Sequence, residues 1–407
     1  MVFQFERHDL EKILKMLIAL QRINMKSMKK SLLLSLLAIL LSQCSNEKTA
    51  DLPTERLTER AFYYWQTTMN FTETDDSLAN LLELQTVYVR YFDIDWSPGY
   101  KSGVPVGVLN GDNWNAEAHF EGRNIIPTVF ITNRTFTNLR ADELETLAKN
   151  TAKKINQVSD NMENWYVGSL VSYSDFGDDY SAYQKVEDET RGEFKEMISE
   201  VQIDCDWTAS TRDKFFKFLE LLKPKLGNKT LSCTVRLHQY KDRKLMGIPP
   251  VERGLLMCYN VSDVQKMPTK NAILDAKIVK QYLKGKTYPI KLDIGLPMFS
   301  WAAWYRGKEF KGIVSGWNEV DAKDKSLYKL TSDNRYFMKS DTVIGNNYLR
   351  EGDMLRWDNG FEEEMEKTIE LLQENLDLSD IRISFFDWET EKIKRNESDI
   401  EKYYQAF

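Results

Sequence analysis

Asp204 and Asp206 stand two residues apart in the run Val201-Gln202-Ile203-Asp204-Cys205-Asp206-Trp207, a spacing that suits a proton-handling pair of carboxyls. Extended backbone alternates its side chains, so Gln202, Asp204 and Asp206 share one face while Ile203 and Cys205 take the other. The two Cα atoms are then roughly 6.6 Å apart. Like charges that close raise one pKa and leave a protonated acid beside an ionised partner, a division of labour used in acid–base catalysis. Other acids could complete the set: Asp93 and Asp95, Asp293, Asp387 and Glu389. Two purely structural readings compete. Asp206 could cap the next helix while Asp204 binds loop amides, or one of the pair could neutralise a buried Arg236, with no chemistry at all.

A strand must carry these acids, and the residues after it turn helical. Over Thr208 to Leu222, Ser210 or Thr211 can cap a helix whose apolar stripe is Phe215, Phe216, Leu219 and Leu222. An acidic strand end running into a helix is how a (β/α)8 barrel presents functional groups at its C-terminal rim. Eight candidate strands follow in order: Phe62–Thr67, Thr86–Phe92, Ile125–Thr132, Val201–Trp207, Leu231–Tyr240, Gly254–Tyr259, Ile290–Leu296 and Ile381–Trp388. Most are continuously apolar, as strands covered on both faces should be. Helical stripes lie between several of them, over Ala141–Ile155, Ala272–Leu283 and Phe361–Leu376. The expected fold is therefore an α/β (β/α)8 TIM barrel. Insertions are expected after strand three (about Asn133–Glu200) and after strand seven (about Trp304–Asp380), the second forming a small β excursion around Tyr328–Trp357.

Three strands carry a resemblance. Gln202-Ile203-Asp204-Cys205-Asp206-Trp207, Leu256-Met257-Cys258-Tyr259-Asn260 and Asp293-Ile294-Gly295-Leu296-Pro297-Met298-Phe299 resemble barrel strands four, six and seven of the family 18 chitinase-type glycosidases. The first also resembles uncharacterised bacterial lipoprotein and exported families that share a Gln-Ile-Asp-x-Asp strand. The likeness implies a glycan ligand, Asp204 and Asp206 as catalytic acids, and Tyr259 against the reacting sugar with Asn260 following it. One departure matters. The chitinase-type general acid is a Glu two positions after the second Asp, and that position here is Thr208, which cannot donate a proton at neutral pH.

Arg236, His238 and Tyr240 read as one face of strand five, with Arg236 and Arg90 in a structural network with the acids and His238 a candidate acid/base or ligand contact. Trp65, Trp96, Trp207, Trp301, Trp304, Tyr305 and Trp388 fall at or after strand ends, where flat aromatic faces suit sugar stacking. Trp65, Trp207, Trp301 and Trp388 are the expected platforms, beside His238 and Asn260.

The amino terminus addresses location. Met28-Lys29-Lys30 precedes the apolar run Ser31–Leu41, too short for a membrane span, and Leu41-Ser42-Gln43-Cys44 resembles a bacterial lipobox. Residues 28–43 thus read as a lipoprotein signal peptide, Cys44 as the lipidated residue, 44–58 as a polar tether and 59–407 as the barrel. Residues 1–27 do not fit a signal peptide, so Met25 or Met28 is the expected start. The location expected is the bacterial cell envelope, on the periplasmic side or the cell surface.

About 360 residues follow Cys44, enough for one barrel with insertions. A net charge of −7 on 407 residues gives no expectation of a nucleic-acid partner. Three histidines speak against a multi-histidine metal centre, no phosphate loop is present, and no cofactor is expected. Cys205, Cys233 and Cys258 lie in apolar strands and read as buried free thiols. Three functions remain open: glycan hydrolysis through the two acids, glycan binding by a degenerate barrel, and structural support of a neighbouring complex. Oligomeric state is not legible.

Overall fold

The computed structural model describes residues 58–407, except 112–119, 121, 284–286, 315–316, 318–320, 322, 332–333 and 361–362. Cys44, the segment 28–43 and the tether up to residue 57 lie outside the described residues. In chain order the strands are β1 (Thr58–Tyr64), β2 (Thr86–Ser97), a short β3 (Ser102–Val106), β4 (Asn124–Ile131), β5 (Glu200–Asp204), β6 (Thr230–Arg236), β7 (Arg253–Met257) and β8 (Lys291–Pro297). An excursion then adds β9 (Ser300–Arg306), β10 (Glu309–Val314), β11 (Tyr328–Leu330), β12 (Arg335–Met338), β13 (Thr342–Ile344), β14 (Asn347–Leu349) and β15 (Met354–Asn359), before β16 (Ile381–Phe386). The large sheet runs β1-β16-β8-β7-β6-β5-β4-β2, and β1 also pairs with β2 through Ala61↔Thr86 to Tyr64↔Val89. All eight of these pairings are parallel, so the sheet is a closed (β/α)8 barrel.

The outward faces of the strands meet the helices α1 (Glu73–Leu81), α2 (Asn133–Asn138), α3 (Leu144–Leu170), α4 (Tyr180–Glu196), α5 (Arg212–Leu222), α6 (Leu237–Lys241), α7 (Arg243–Met246), α8 (Ala276–Tyr282), α9 (Glu363–Asn375) and α10 (Thr390–Gln405). On α5 the buried stripe is Phe215, Phe218, Leu219 and Leu222, and it joins the main core. The inward faces hold Ala61, Tyr63, Tyr88, Ile126, Leu255, Met257 and Tyr259. Below them, at the N-terminal end of the barrel, Arg382 meets Glu59 (3.1 Å), Glu200 (3.2 Å) and Tyr88 Oη (2.9 Å), and Arg253 donates to Asp293 (2.6 Å). This cluster plugs the barrel floor with paired charges.

Several strand ends differ from expectation: β5 stops at Asp204, β7 at Met257 and β16 at Phe386, short of Trp207, Tyr259 and Trp388, while β2 runs on to Ser97. Two further differences have a clear physical reason. β1 starts at Thr58, earlier than Phe62, because Glu59 and Arg60 take partners from the far end of the chain (Arg382 and, at 2.6 Å, Glu401) and so show no apolar signal. β6 stops at Arg236, and 237–241 is helical, so His238 and Tyr240 do not continue its face. Gln239 decides this: its Oε1 accepts from the Arg236 amide (2.7 Å) and its Nε2 donates to the Trp207 carbonyl (2.9 Å), turning the chain out of the sheet.

Between β8 and β16, strands β10-β9-β15-β12-β11 form a five-stranded antiparallel sheet, and β13 pairs with β14. Its own core includes Ala302, Trp317, Tyr328, Leu355 and Trp357.

Cys205, Cys233 and Cys258 are free and buried in the core around the barrel. Burial pushes all three thiols above their ordinary range, which makes them poor nucleophiles. Native protein should therefore resist alkylation at these positions, and denaturation without reductant should expose all three to iodoacetamide. Mass spectrometry that found a disulfide among them would contradict the structure.

Candidate functional site

The C-terminal mouth of the barrel gathers the acids. Asp204 closes β5, is 7% exposed, and accepts a hydrogen bond from Thr234 Oγ1 at 2.6 Å across the β5–β6 step. Burial raises its pKa to about 6; Arg236 opposes that shift and Asp206 adds to it. Asp206 lies past the end of β5, not on the strand expected to run to Trp207, and is held by the Arg236 guanidinium through Nε and Nη2, the latter at 3.0 Å. The Arg236 guanidinium is pushed up despite burial, chiefly by Asp206. The two carboxyls thus part company: one buried and protonated in mild acid, one committed to an arginine. The structural pairing weighed for Arg236 is the one present, with Asp206 as its partner.

That pair is not deeply buried, since the Asp206 side chain is 45% exposed. Solvent screens such a pair, so Asp206→Asn should cost no more than about 1 kcal/mol. A fall in thermal stability equivalent to several kcal/mol in this variant would show instead that Arg236 has no access to water.

Tyr259 lies over the lumen, stacked on Phe386 (ring centroids 5.6 Å) and edge-on to Phe299 (5.7 Å). Its hydroxyl is buried without a hydrogen-bond partner. Burial, then the charges of Asp204 and Asp206, raise its pKa well above that of a free phenol, against the pull of Arg236. Gly295 in β8 makes room for this ring: a Cβ there would come within 2.7 Å of Leu255 Cδ2 and 3.5 Å of Tyr259 Cε1. Asn260 follows at φ +54°, exposed, in a left-handed conformation that asparagine tolerates. Arg236, His238, Tyr259 and Asn260 share the wall of a small cavity of about 40 Å³.

Four partly exposed rings form a continuous arc at the mouth: Trp65 lies 5.4 Å from Phe386, Phe386 lies 5.8 Å from Phe299, and Phe299 lies 5.3 Å from Trp301. Phe299 and Phe386 escaped the sequence reading. Strand parity could have found Phe386, which shares a face with Arg382 and Ser384. Asp387 comes next, half-buried, with its carboxyl pushed up by burial.

Other expected site residues lie elsewhere. Trp207 is 0% exposed, stacks on Phe215 and donates its indole N–H to the Met246 carbonyl (3.0 Å), so it packs among the helices. Trp388 is 4% exposed and donates at 2.9 Å to Asp75, whose carboxylate also accepts from the amide of Thr72, the N-cap of α1. Neither can serve as a stacking platform. His238 sits exposed on α6 and not at a strand end; contact with the protein desolvates its ring and lowers its pKa. Arg90 pairs with Asp93 (2.9 Å), whose charge acts on Asp204, and lies over Trp65 (5.5 Å). Asp95 is held by Arg134, which lowers its carboxyl to about 2. Asp293 belongs to the floor cluster. Trp304 and Tyr305 lie on β9, where the Trp304 indole donates to Asp353 (2.9 Å) and the Tyr305 hydroxyl to the Val264 carbonyl. The Thr208 hydroxyl bonds to Ser210 and Thr211 and brings no acid. Among the described residues no group of three or more His, Cys, Asp or Glu is placed to hold a metal ion, and no helix is long and apolar enough to cross a membrane.

No protein-family profile matches the chain, and no curated protein sequence does. Solved structures do resemble it in fold. The C-terminal domain of a putative chitinase from Desulfitobacterium hafniense is 11% identical, with 85% of this chain and 99% of that one covered at a TM-score of 0.48. The Legionella pneumophila ChiA C-terminal domain is 9% identical over 84% and 96% of the chains, at a TM-score of 0.31. The Ignisphaera aggregans GH53 catalytic domain is 12% identical over 83% and 86%, at a TM-score of 0.37.

Proposed function

We propose that the mouth of this barrel holds a glycan and that Asp204 carries the reacting proton of a glycoside hydrolase. The observation that supports this reading is the arc Trp65–Phe386–Phe299–Trp301 standing over Tyr259 and Asp204. Sugar rings present C–H faces that bury well on such an arc, while their hydroxyls need the polar floor beneath. With Thr208 unable to act and Asp206 committed to Arg236, the carboxyls left to exchange a proton are Asp204 and Asp387. Burial raises the pKa of both, that of Asp204 to about 6, which is the direction a general acid needs. Tyr259, buried against Phe386 and Phe299, would form the packed floor beneath the bound sugar.

A second reading is glycan binding without turnover, favoured by the bidentate Asp206–Arg236 pair, which takes one of the two in-line acids out of chemistry. Release of reducing ends, measured beside binding on a glycan array, separates the two. Each stacking ring is worth about 1 kcal/mol, so Trp65→Ala and Trp301→Ala should each weaken glycan binding several-fold with little loss of fold. Asp204→Asn should abolish release while binding stays within a few-fold. Unchanged affinity in both tryptophan variants removes the platform; release that survives Asp204→Asn removes the proton role.

The proposal places the barrel in the bacterial cell envelope, held by a lipid on Cys44. The basic Met28-Lys29-Lys30, the apolar run and Leu41-Ser42-Gln43-Cys44 support that location. Cys44→Ala should end acyl labelling and membrane retention; a variant that still labels refutes the anchor.

A further inference from the structure

We infer that the turn joining α3 to α4 is a docking surface for an arginine-rich polypeptide segment. α3 ends at Leu170, and a 3-10 turn, Tyr173–Phe176, leads to α4 at Tyr180. Residues three apart on such turns stand side by side, which pairs Tyr173 with Phe176 and Tyr180 with Tyr183. Gly177, at φ +58°, turns the chain between the two pairs. The four rings make one patch, with Tyr183 lying 5.3 Å from Tyr173, 5.9 Å from Phe176 and 6.1 Å from Tyr180. Its outer members stay in water: Tyr173 is 49% and Tyr180 56% exposed, beside Leu170 at 40%.

The surrounding charge selects the partner. From Val171 to Thr190 six acids stand against a single lysine. Lys185 takes Glu189 (3.8 Å) and Arg191 takes Glu187 (2.7 Å). Asp179 is used at the start of α4, where its Oδ1 accepts from the Ala182 amide (2.9 Å). Asp175, Asp178 and Asp188 are exposed and have no cationic partner among the described residues.

A partner bearing anionic groups, such as nucleic acid or an acidic membrane, is repelled here. A neutral partner would strip water from these carboxylates and return nothing. A guanidinium meets both demands, because its planar face lies on a tyrosine ring while its N–H fork reaches a carboxylate. Asp175 and Asp178 flank Gly177 and Asp188 lies further along α4, so several cations are called for, and a polypeptide supplies them in a row. None of these residues belongs to the mouth, and the surface stands apart from the glycan reading.

Fluorescence anisotropy of the full chain with a labelled twelve-residue peptide of alternating glycine and arginine tests this. The peptide should bind, and binding should weaken as salt rises. The exposed pair Tyr173→Ser with Tyr180→Ser should lower affinity about ten-fold. Asp175→Asn with Asp178→Asn should lower it several-fold with the melting temperature unchanged, which keeps the test decisive should the tyrosine variant lose its fold. Glu309→Gln with Glu391→Gln removes two exposed charges elsewhere and should leave affinity within about two-fold. No binding, binding that survives both turn variants, or an equal loss in the control pair overturns the proposal. So does maltohexaose that competes with the peptide, since the patch would then be a sugar platform. Asp204→Asn and Trp65→Ala should bind the peptide like wild type, so failure of the mouth reading leaves this result standing.

Discussion

Asp204→Asn is expected to stabilise the barrel at neutral pH. The carboxyl ionises near 3.8 when free and near 6 in the folded protein, because burial disfavours its charge. Between those values the unfolded chain has released a proton that the folded chain still holds. Its contribution is therefore most favourable below the unfolded pKa, declines as pH rises from about 4 to 6, and stays at the lower level above. At about 1.4 kcal/mol per pKa unit, the penalty at pH 7 is roughly 1–3 kcal/mol. Asparagine removes it and can still accept from Thr234. Melting curves from pH 4 to 8 should show the variant higher by a few degrees at pH 7 and lacking the decline between 4 and 6. A lower melting temperature at pH 7 would mean that ionised Asp204 is needed by its neighbours, and the proton role would go with it.

The opposite sign is expected at Asp358. Arg356 and Asp358 are both fully buried on β15, joined by two hydrogen bonds of 2.8 and 2.9 Å. Arg356 also donates to the carbonyls of Lys266 (2.9 Å) and Val264 (3.2 Å), and Asp358 accepts from the Trp301 indole (3.0 Å). Asp358→Asn keeps the shape and strands the cation, which should cost about 3–5 kcal/mol. Because the same carboxylate orients Trp301, glycan binding at the mouth should weaken as well. A loss below 1 kcal/mol by chemical denaturation would mean that water reaches the pair.

Much of the architecture was legible because barrel strands covered on both faces are continuously apolar, and all eight runs appear in the barrel in the expected order. Some of the misses come from pairing partners far away in sequence. Glu59 and Arg60 look like a polar linker until Arg382 and Glu401 are beside them. Asp204 and Asp206 do meet around Arg236, although β5 ends at Asp204 and the alternation expected through Trp207 does not hold; Trp207 is buried among the helices. Counting aromatics at strand ends misplaced it. Trp388 could not be placed by parity, since its partner Asp75 belongs to α1. The Asp206–Arg236 pair was legible as an alternative because adjacent strands with opposite charges on one face must meet. What the sequence could not reveal was depth: Asp204, the last residue of β5, is buried, and Asp206, just past the strand end, is half-exposed.

The seam where β1 meets β16 sets the timing of assembly. Arg60 meets Glu401, Tyr404 Oη donates to the Ala61 carbonyl at 2.6 Å, and Trp388 reaches Asp75. Partners more than three hundred residues apart must find each other before the cylinder shuts, the slowest kind of contact to form. Until the last strand is synthesised, β1 and β8 each show an unpaired edge, and the charged floor stands open to water. A growing chain therefore carries an adhesive, half-built sheet for nearly its whole length, and a nascent molecule of this kind depends on being kept from its neighbours until its final helix arrives.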